Sequence, residues 1–415
     1  MIKFILIFLL FVFISIRIAK KKGWQSPSGL LFYIYTLSLA CALILLSVKP
    51  SSAYRSAMDS SYWFPLLSLS IFVLAFLVPF AIFDESAVKK IKLPSRRVLD
   101  TFSNIVIALS LYSMIFYSSA IRTIFSMDLG EARNSRYGAA GGEYFEVGLQ
   151  NTIASVSASL YVFAIMLFFI YLILGKSRGR CTLLFLSSFS EAIHVLAFVG
   201  RDGIVFWIFT FVFEYFLFKD YLKHKVRRKI RRYMIVGLAL VLTPFFLITF
   251  GRFSGNETLA IIDYMGQPFI NGTLFMGLED QPRNYGYGFP LIMEIMGEAH
   301  REKLSWSMGG TESMYFMTFV YGFILSLGIF GTILLCFFSD ITFLSIFGKK
   351  KRMLPFYNLF MYLLFFQIYA EGVFYFRHYT RGGNLFIVIS ILFAITFKVI
   401  QEGSKSNFYI EKAAE

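Results

Sequence analysis

The sequence predicts an all-α polytopic integral membrane protein of about eleven transmembrane helices, N-terminus outside and C-terminus inside. Three observations predict it. Hydrophobic residues fill 57% of the 415 positions and charged residues only 16%, against roughly 25% charged in soluble proteins. Apolar runs near the ~20 residues that a bilayer span requires follow one another along the chain. The segments 31–48, 64–83, 155–174, 234–250 and 384–397 contain no Asp, Glu, Lys or Arg at all. Finally, the segments between the runs alternate between rich and poor in cations, as the positive-inside rule requires.

The first run, 2–18, has one cation before it, Lys3, and Arg17, Lys20, Lys21 and Lys22 at its far end. It lacks a small-residue cleavage site and so reads as a retained first span, entering from outside, and not as a secretory signal. The later spans are 30–48, 63–83, 101–121, 150–174, 181–199, 203–218, 234–250, 313–338, 354–373 and 384–399. With these boundaries 27 cations fall inside and 13 outside, together the full 40 of the chain. The narrowest joint is Gly200-Arg201-Asp202-Gly203. Were 181–218 a single broken helix, the basic block beyond it would lie outside, against the rule.

The whole chain reads as one transmembrane domain, 1–415, with three notable connections. The basic inside loop is 219–233, and the outside loops are 122–148 and the largest, 251–312, which precedes the ninth span. Its Gln281-Pro-Arg-Asn-Tyr-Gly-Tyr-Gly-Phe-Pro290 stretch is turn chemistry. The net charge of +15 sits in short inter-span segments, which argues against a nucleic-acid partner and for the lipid bilayer as surroundings. Cys41, Cys181 and Cys336 all lie in apolar runs and read as small packing residues.

Ten of the 13 outside cations are Arg. Arginine offers a planar fork of donors for bidentate phosphate recognition and keeps its charge, so this minority points to an anion; ordinary Arg–carboxylate pairing is the alternative. Arg201 stands out, between two glycines at a tight turn where bare backbone admits a ligand and the next helix presents its N-terminal N–H groups. Arg252 follows Gly251 at the outer end of a span. Arg377, His378 and Arg381 lie in Phe376-Arg-His-Tyr-Thr-Arg-Gly-Gly383 between the last two spans; His378 can take up a proton near neutral pH.

Acids within apolar runs are costly and therefore candidates. Glu191 and His194, three apart on one helix face, suit a proton relay, two metal ligands or a structural hydrogen bond, and no third metal ligand is in sight. Glu214 and Glu371 are the others, the latter a neutralising partner for Arg377 and Arg381. Glu312, after Gly309-Gly310-Thr311, reads as a first-turn acid of the ninth span that suits either the helix dipole or a general base. Tyr285 and Tyr287, spaced by glycine far from any span, suit stacking on sugar faces or local packing. Nucleotide, zinc and Ser-His-Asp motifs do not occur, so no cofactor and no metal is expected.

The layout resembles the Wzy-type O-antigen or oligosaccharide repeat-unit polymerases, relatives of the O-antigen ligases. The resemblance covers most of the chain: many spans, the outside Arg in Gly200-Arg201-Asp202-Gly203, one large late loop, and the polar helix start Thr311-Glu-Ser-Met-Tyr-Phe-Met-Thr-Phe-Val-Tyr-Gly322 with Gly328 and Gly331 beyond. It departs in one respect, since no Arg is followed by Gly eleven positions later, the repeat that some members carry. The resemblance implies a polymerase of the bacterial inner membrane, joining undecaprenyl-pyrophosphate-linked oligosaccharides at the periplasmic face, without cofactor and with a chain-length regulator membrane protein as partner. On that reading Arg201, Arg252, Arg377 and Arg381 hold the pyrophosphate and Tyr285, Tyr287 and His300 meet the sugars. Glu312 is the base, with His378 and His300 as rivals. A lipid-linked oligosaccharide flippase and an O-antigen ligase are the alternatives.

Overall fold

The computed structural model describes residues 1–48, 52–125, 148–175, 178–252, 257–277, 288–296, 316–348, 352–404 and 406–412. In chain order its helices are α1 (Ile2–Lys22), α2 (Pro27–Val48), α3 (Ser52–Ser56), α4 (Trp63–Ile82), α5 (Arg96–Phe125), α6 (Leu149–Ser159), α7 (Tyr161–Ile173) and α8 (Arg178–Ser187). They continue as α9 (Ser190–Leu196), α10 (Asp202–Phe218), α11 (His224–Arg252), α12 (Glu257–Met276), α13 (Pro290–Ile295), α14 (Thr318–Phe347), α15 (Phe356–Glu371) and α16 (Arg381–Gly403). Local chemistry sets many ends. Lys20–Lys22 sit in the last turn of α1, favourable at the negative end of the helix dipole, and Gly23 at φ +88° closes it, its N–H donating to Ala19 O. Pro27 opens α2, where its fixed φ suits a first helical position.

The chain is a multi-pass α-helical membrane protein. Among the described residues seven helices are long and apolar enough to cross a bilayer, or eight when α6 and α7, bent by 41° at Leu160, count as one. The other three expected spans are shorter or interrupted. The 181–199 run is split into α8 and α9 at Ser188 and Phe189, 203–218 becomes the 17-residue α10, and 354–373 the 16-residue α15. The split has a side-chain cause. Ser188 Oγ donates to Phe185 O at 2.6 Å and accepts from Trp207 Nε1 at 2.9 Å, taking a carbonyl that the helix would use.

Two compact units result, one of residues 1–86, 258–350 and 365–384, the other of 87–257, 351–364 and 385–415. In the first, Phe76 packs against Phe319, Phe323 and Tyr369, and α14 breaks at Gly328 (φ +68°, ψ 177°). That conformation is open to glycine almost alone. An added Cβ would meet nothing within 4 Å, so Gly328→Ala isolates the backbone cost. A loss of about 1–3 kcal/mol is expected, visible as a lower thermal midpoint of the purified protein in detergent.

The expected outside loop 251–312 contains a buried helix, α12. Tyr54 Oη donates to Asp263 of α12, and Gly277, just past the helix, abuts the Tyr62 ring. Between them Ser38 donates to Met265 O, Gly266 lies on the Cys41–Ala42 backbone, and Phe269 meets the rings of Phe11 and Tyr35. So α12 inserts among α1, α2 and α4, its glycines allowing close approach. Its Asp, Gln, Asn and Thr residues make it too polar for a sequence reading to recognise as buried.

The second unit is built around α7, which is buried on all sides from Tyr161 to Leu172; a helix apolar all round belongs in a core. Phe163 stacks on Phe360 with ring centroids 3.7 Å apart. A small sheet, which the all-helical expectation lacks, has the order β2-β1-β3: β1 is Lys90–Leu93, β2 Met353–Pro355 (parallel to β1) and β3 Phe408–Glu411 (antiparallel). Ile91 pairs with Leu354 and Ile410, all buried. Tyr221 Oη donates to Val88 O at 3.0 Å and Lys412 pairs with Asp220 at 3.5 Å. Four segments that the sequence places on the basic side are thus joined. The 219–233 block itself is a 3-10 turn (Lys219–Tyr221) and the start of α11 rather than a loop.

Candidate functional site

The richest polar cluster of the second unit forms around the Gly200–Gly203 turn. Val199 N–H donates to Leu196 O and Gly200 N–H to Val195 O, closing α9 with Val199 at φ +55°, a strained state for a β-branched residue. The neighbouring glycines are required by space. A Cβ on Gly200 or Gly203 would fall within 2.9 Å of the Val195 side chain, and one on Gly203 within 2.8 Å of Glu191 O. Bare backbone lets the α9–α10 connection close on itself.

This turn buries Arg201, leaving it 5% exposed. Its Nη1 donates to Thr249 Oγ1 at 2.9 Å and its guanidinium lies 5.7 Å from the centre of the Phe245 ring. Both partners are on α11, whose last residue is Arg252, three positions beyond Thr249 and so about 4.5 Å further along the axis. Asp202 opens α10 as a first-turn acid. One turn back on α9, His194 Nδ1 and Glu191 Oε2 are 3.3 Å apart and both side chains are buried. The Tyr117 ring stands 4.5 Å from the His194 ring, and Tyr117 Oη donates to Asn151 Oδ1. A guanidinium, the N-terminus of a 17-residue helix and a carboxylate–imidazole pair therefore share one region of one unit. Such a group can hold an anion and pass a proton. No group of three or more potential metal ligands occurs among the described residues.

Arg377, His378 and Arg381 belong to the first unit. A 3-10 turn, Arg377–Tyr379, carries the first two. His378 is buried, its Nε2 3.8 Å from Glu371 Oε2, and Gln367 Nε2 donates to Glu371 Oε1 at 3.2 Å. Glu371 thus faces His378 and Gln367, whereas Arg381 pairs with Glu294 at 3.3 Å, both half-exposed. That is the ordinary carboxylate pairing, worth 0–1 kcal/mol at such exposure. Asn384 holds the turn: its Nδ2 donates to His378 O at 2.6 Å and to Gly288 O at 3.0 Å. A Cβ on Gly383 would lie 2.6 Å from His378 Cα, where backbone cannot yield. Gly383→Ala is expected to cost about 1–3 kcal/mol as overpacking, read as a lowered thermal midpoint.

Glu312, Tyr285, Tyr287 and His300 lie outside the described residues. Helix α14 begins at Thr318. At its start Met317 N–H donates to Phe374 O and Phe319 N–H to Gly372 O. Thr249, Tyr117, Asn151 and Asn384 were not singled out from sequence, because Thr and Asn inside or beside apolar runs carry no distinctive pattern. No protein-family model, characterised protein or solved structure matches the chain.

Proposed function

We propose that the chain is a glycosyltransferase that polymerises undecaprenyl-pyrophosphate-linked oligosaccharide repeats at the periplasmic face of a bacterial inner membrane. The observation that carries it is Arg201, buried in a glycine-walled turn at a helix N-terminus, oriented by Thr249 and close to the helix end bearing Arg252. A fixed, desolvated guanidinium stabilises charge developing on a departing pyrophosphate. An acceptor sugar hydroxyl bonds to the anomeric carbon of the donor, and the bond from that carbon to the pyrophosphate oxygen breaks. Undecaprenyl pyrophosphate leaves with the electron pair, and the hydroxyl proton passes to a base. Within the unit of Arg201, the Glu191–His194 pair is the described group suited to accept it; Glu312, His378 and His300 stay as candidates. Arg377 remains a candidate phosphate ligand, and Arg381 a weaker one because of Glu294. The joined basic segments 88–93, 219–221, 353–355 and 408–412 support the proposed topology: the chain from 93 to 219 then makes an even number of crossings, with 199–203 at the outer end of two of them.

A flippase is the second reading. The bend between α6 and α7 and the break at Gly328 favour it, since transporters use discontinuous helices. Deleting the gene in its host separates the two. Loss of polymer with single repeats on the outer leaflet is expected of a polymerase; lipid-linked repeats trapped on the inner leaflet would show transport instead. The acceptor, nascent polymer or lipid A, divides polymerase from ligase.

A further inference from the structure

We propose that a groove between α8 and α11 in the second unit binds one anionic phospholipid, with its phosphate at Arg178, Lys229 and Arg232. The cavity has a volume of about 540 Å³, within the range of small-molecule sites. Its two walls follow one pattern. On α11, Lys229 and Arg232 are followed by Val236 and Leu240; on α8, Arg178 is followed by Cys181 and Phe185. Spacing of three and four residues places each set along one helix stripe. On each helix the cations lie towards the N-terminal end of the stripe and apolar residues follow them, Val226 alone preceding Lys229 on α11, as an amphiphile with an anionic head demands.

No acid lines the groove, and none of its three cations has a carboxylate within 4.0 Å among the described residues. Thr182 and Tyr233, whose hydroxyls lie 3.4 Å apart across the two helices, add polar groups beside the cations. Arg178 is the first residue of α8, at the end where the helix dipole disfavours a cation; a bound phosphate offsets that charge. The apolar stripe from Arg232 to Leu240 rises only about 12 Å, and Leu240 is exposed. That accommodates the upper part of one acyl chain, the remainder continuing into the bilayer. Basic pockets between membrane helices recognise anionic headgroups in this manner, at about 1 kcal/mol per cation near the surface.

Trp207 supplies a probe. Its ring lies 6.2 Å from that of Phe185, a groove residue, and directly against Gly237, next to Val236. In full-length protein with Trp24, Trp63 and Trp306 replaced by phenylalanine, purified in neutral detergent, phosphatidylglycerol with brominated acyl chains should quench Trp207. Half-quenching is expected at a mole fraction at least ~10-fold below that of the matching phosphatidylcholine. The triple change Arg178→Gln, Lys229→Gln, Arg232→Gln should remove that preference, and Val236→Trp, read by lipids retained in native mass spectrometry, should exclude the lipid while keeping the cations. Equal quenching by both lipids, or an unchanged preference in the triple variant, would overturn the proposal. So would displacement of the brominated lipid by polyprenyl phosphate but not by unbrominated phosphatidylglycerol.

Discussion

Replacing Arg201 with alanine is expected to lower repeat-unit polymerisation by about 10²–10³-fold, the usual cost of removing one fixed charge-stabilising donor. In cells the phenotype should be single repeats without long polymer. Arg201→Lys keeps the charge but loses the planar fork that Thr249 orients, so intermediate activity is expected. Thr249→Val, which removes only the acceptor, should act in the same direction and more weakly. The proteins must be shown to insert and to keep their thermal midpoints, because Arg201 is buried. Long chains from a correctly inserted alanine variant would remove Arg201 from the mechanism.

The largest effect on stability is expected at Glu85. Lys22 and Glu85 form an ion pair at 3.2 Å with side chains only 2% and 6% exposed. The ammonium also donates to Phe80 O at 2.7 Å and to Phe83 O, and Glu85 Oε1 accepts from Ser28 N–H at 3.0 Å and from its hydroxyl. Removing one partner strands a buried charge, so Glu85→Ala should cost about 3–5 kcal/mol. Replacing both, Lys22→Met with Glu85→Leu, should recover most of that loss, because two apolar groups leave no charge to solvate. The check is the thermal midpoint in detergent of both single variants and the double. Additive losses in the double variant would show that the pair is not coupled.

This pair also marks how far the sequence could be read. Lys22 counts there as one cation among the 27 of the basic side. It says nothing of the chelating geometry, because Glu85 is 63 residues away and contact depends on packing. The long spans were legible for the opposite reason: apolar length is a local property, and α1, α2, α4, α5, α11, α14 and α16 each contain it. Polar residues hid α12, and short strands of three or four residues hid the sheet. Arg201 was legible because two glycines around an arginine are unusual between apolar runs. Its companions were not, as Thr249 is an unremarkable residue of an apolar helix until the fold brings α11 beside the turn. Of the two readings the sequence left open for Arg381, anion binding or carboxylate pairing, the fold supplies a partner for the second, Glu294.

The most direct test of the account is elongation by the purified protein in detergent, where no leaflet needs to be crossed. Supplied with undecaprenyl-pyrophosphate-linked repeat units from its host and no nucleotide, the protein should produce a ladder of polymer and release undecaprenyl pyrophosphate, and Arg201→Ala should not. Unchanged single repeats in detergent, together with movement of the same lipid across vesicle membranes, would contradict the polymerase assignment.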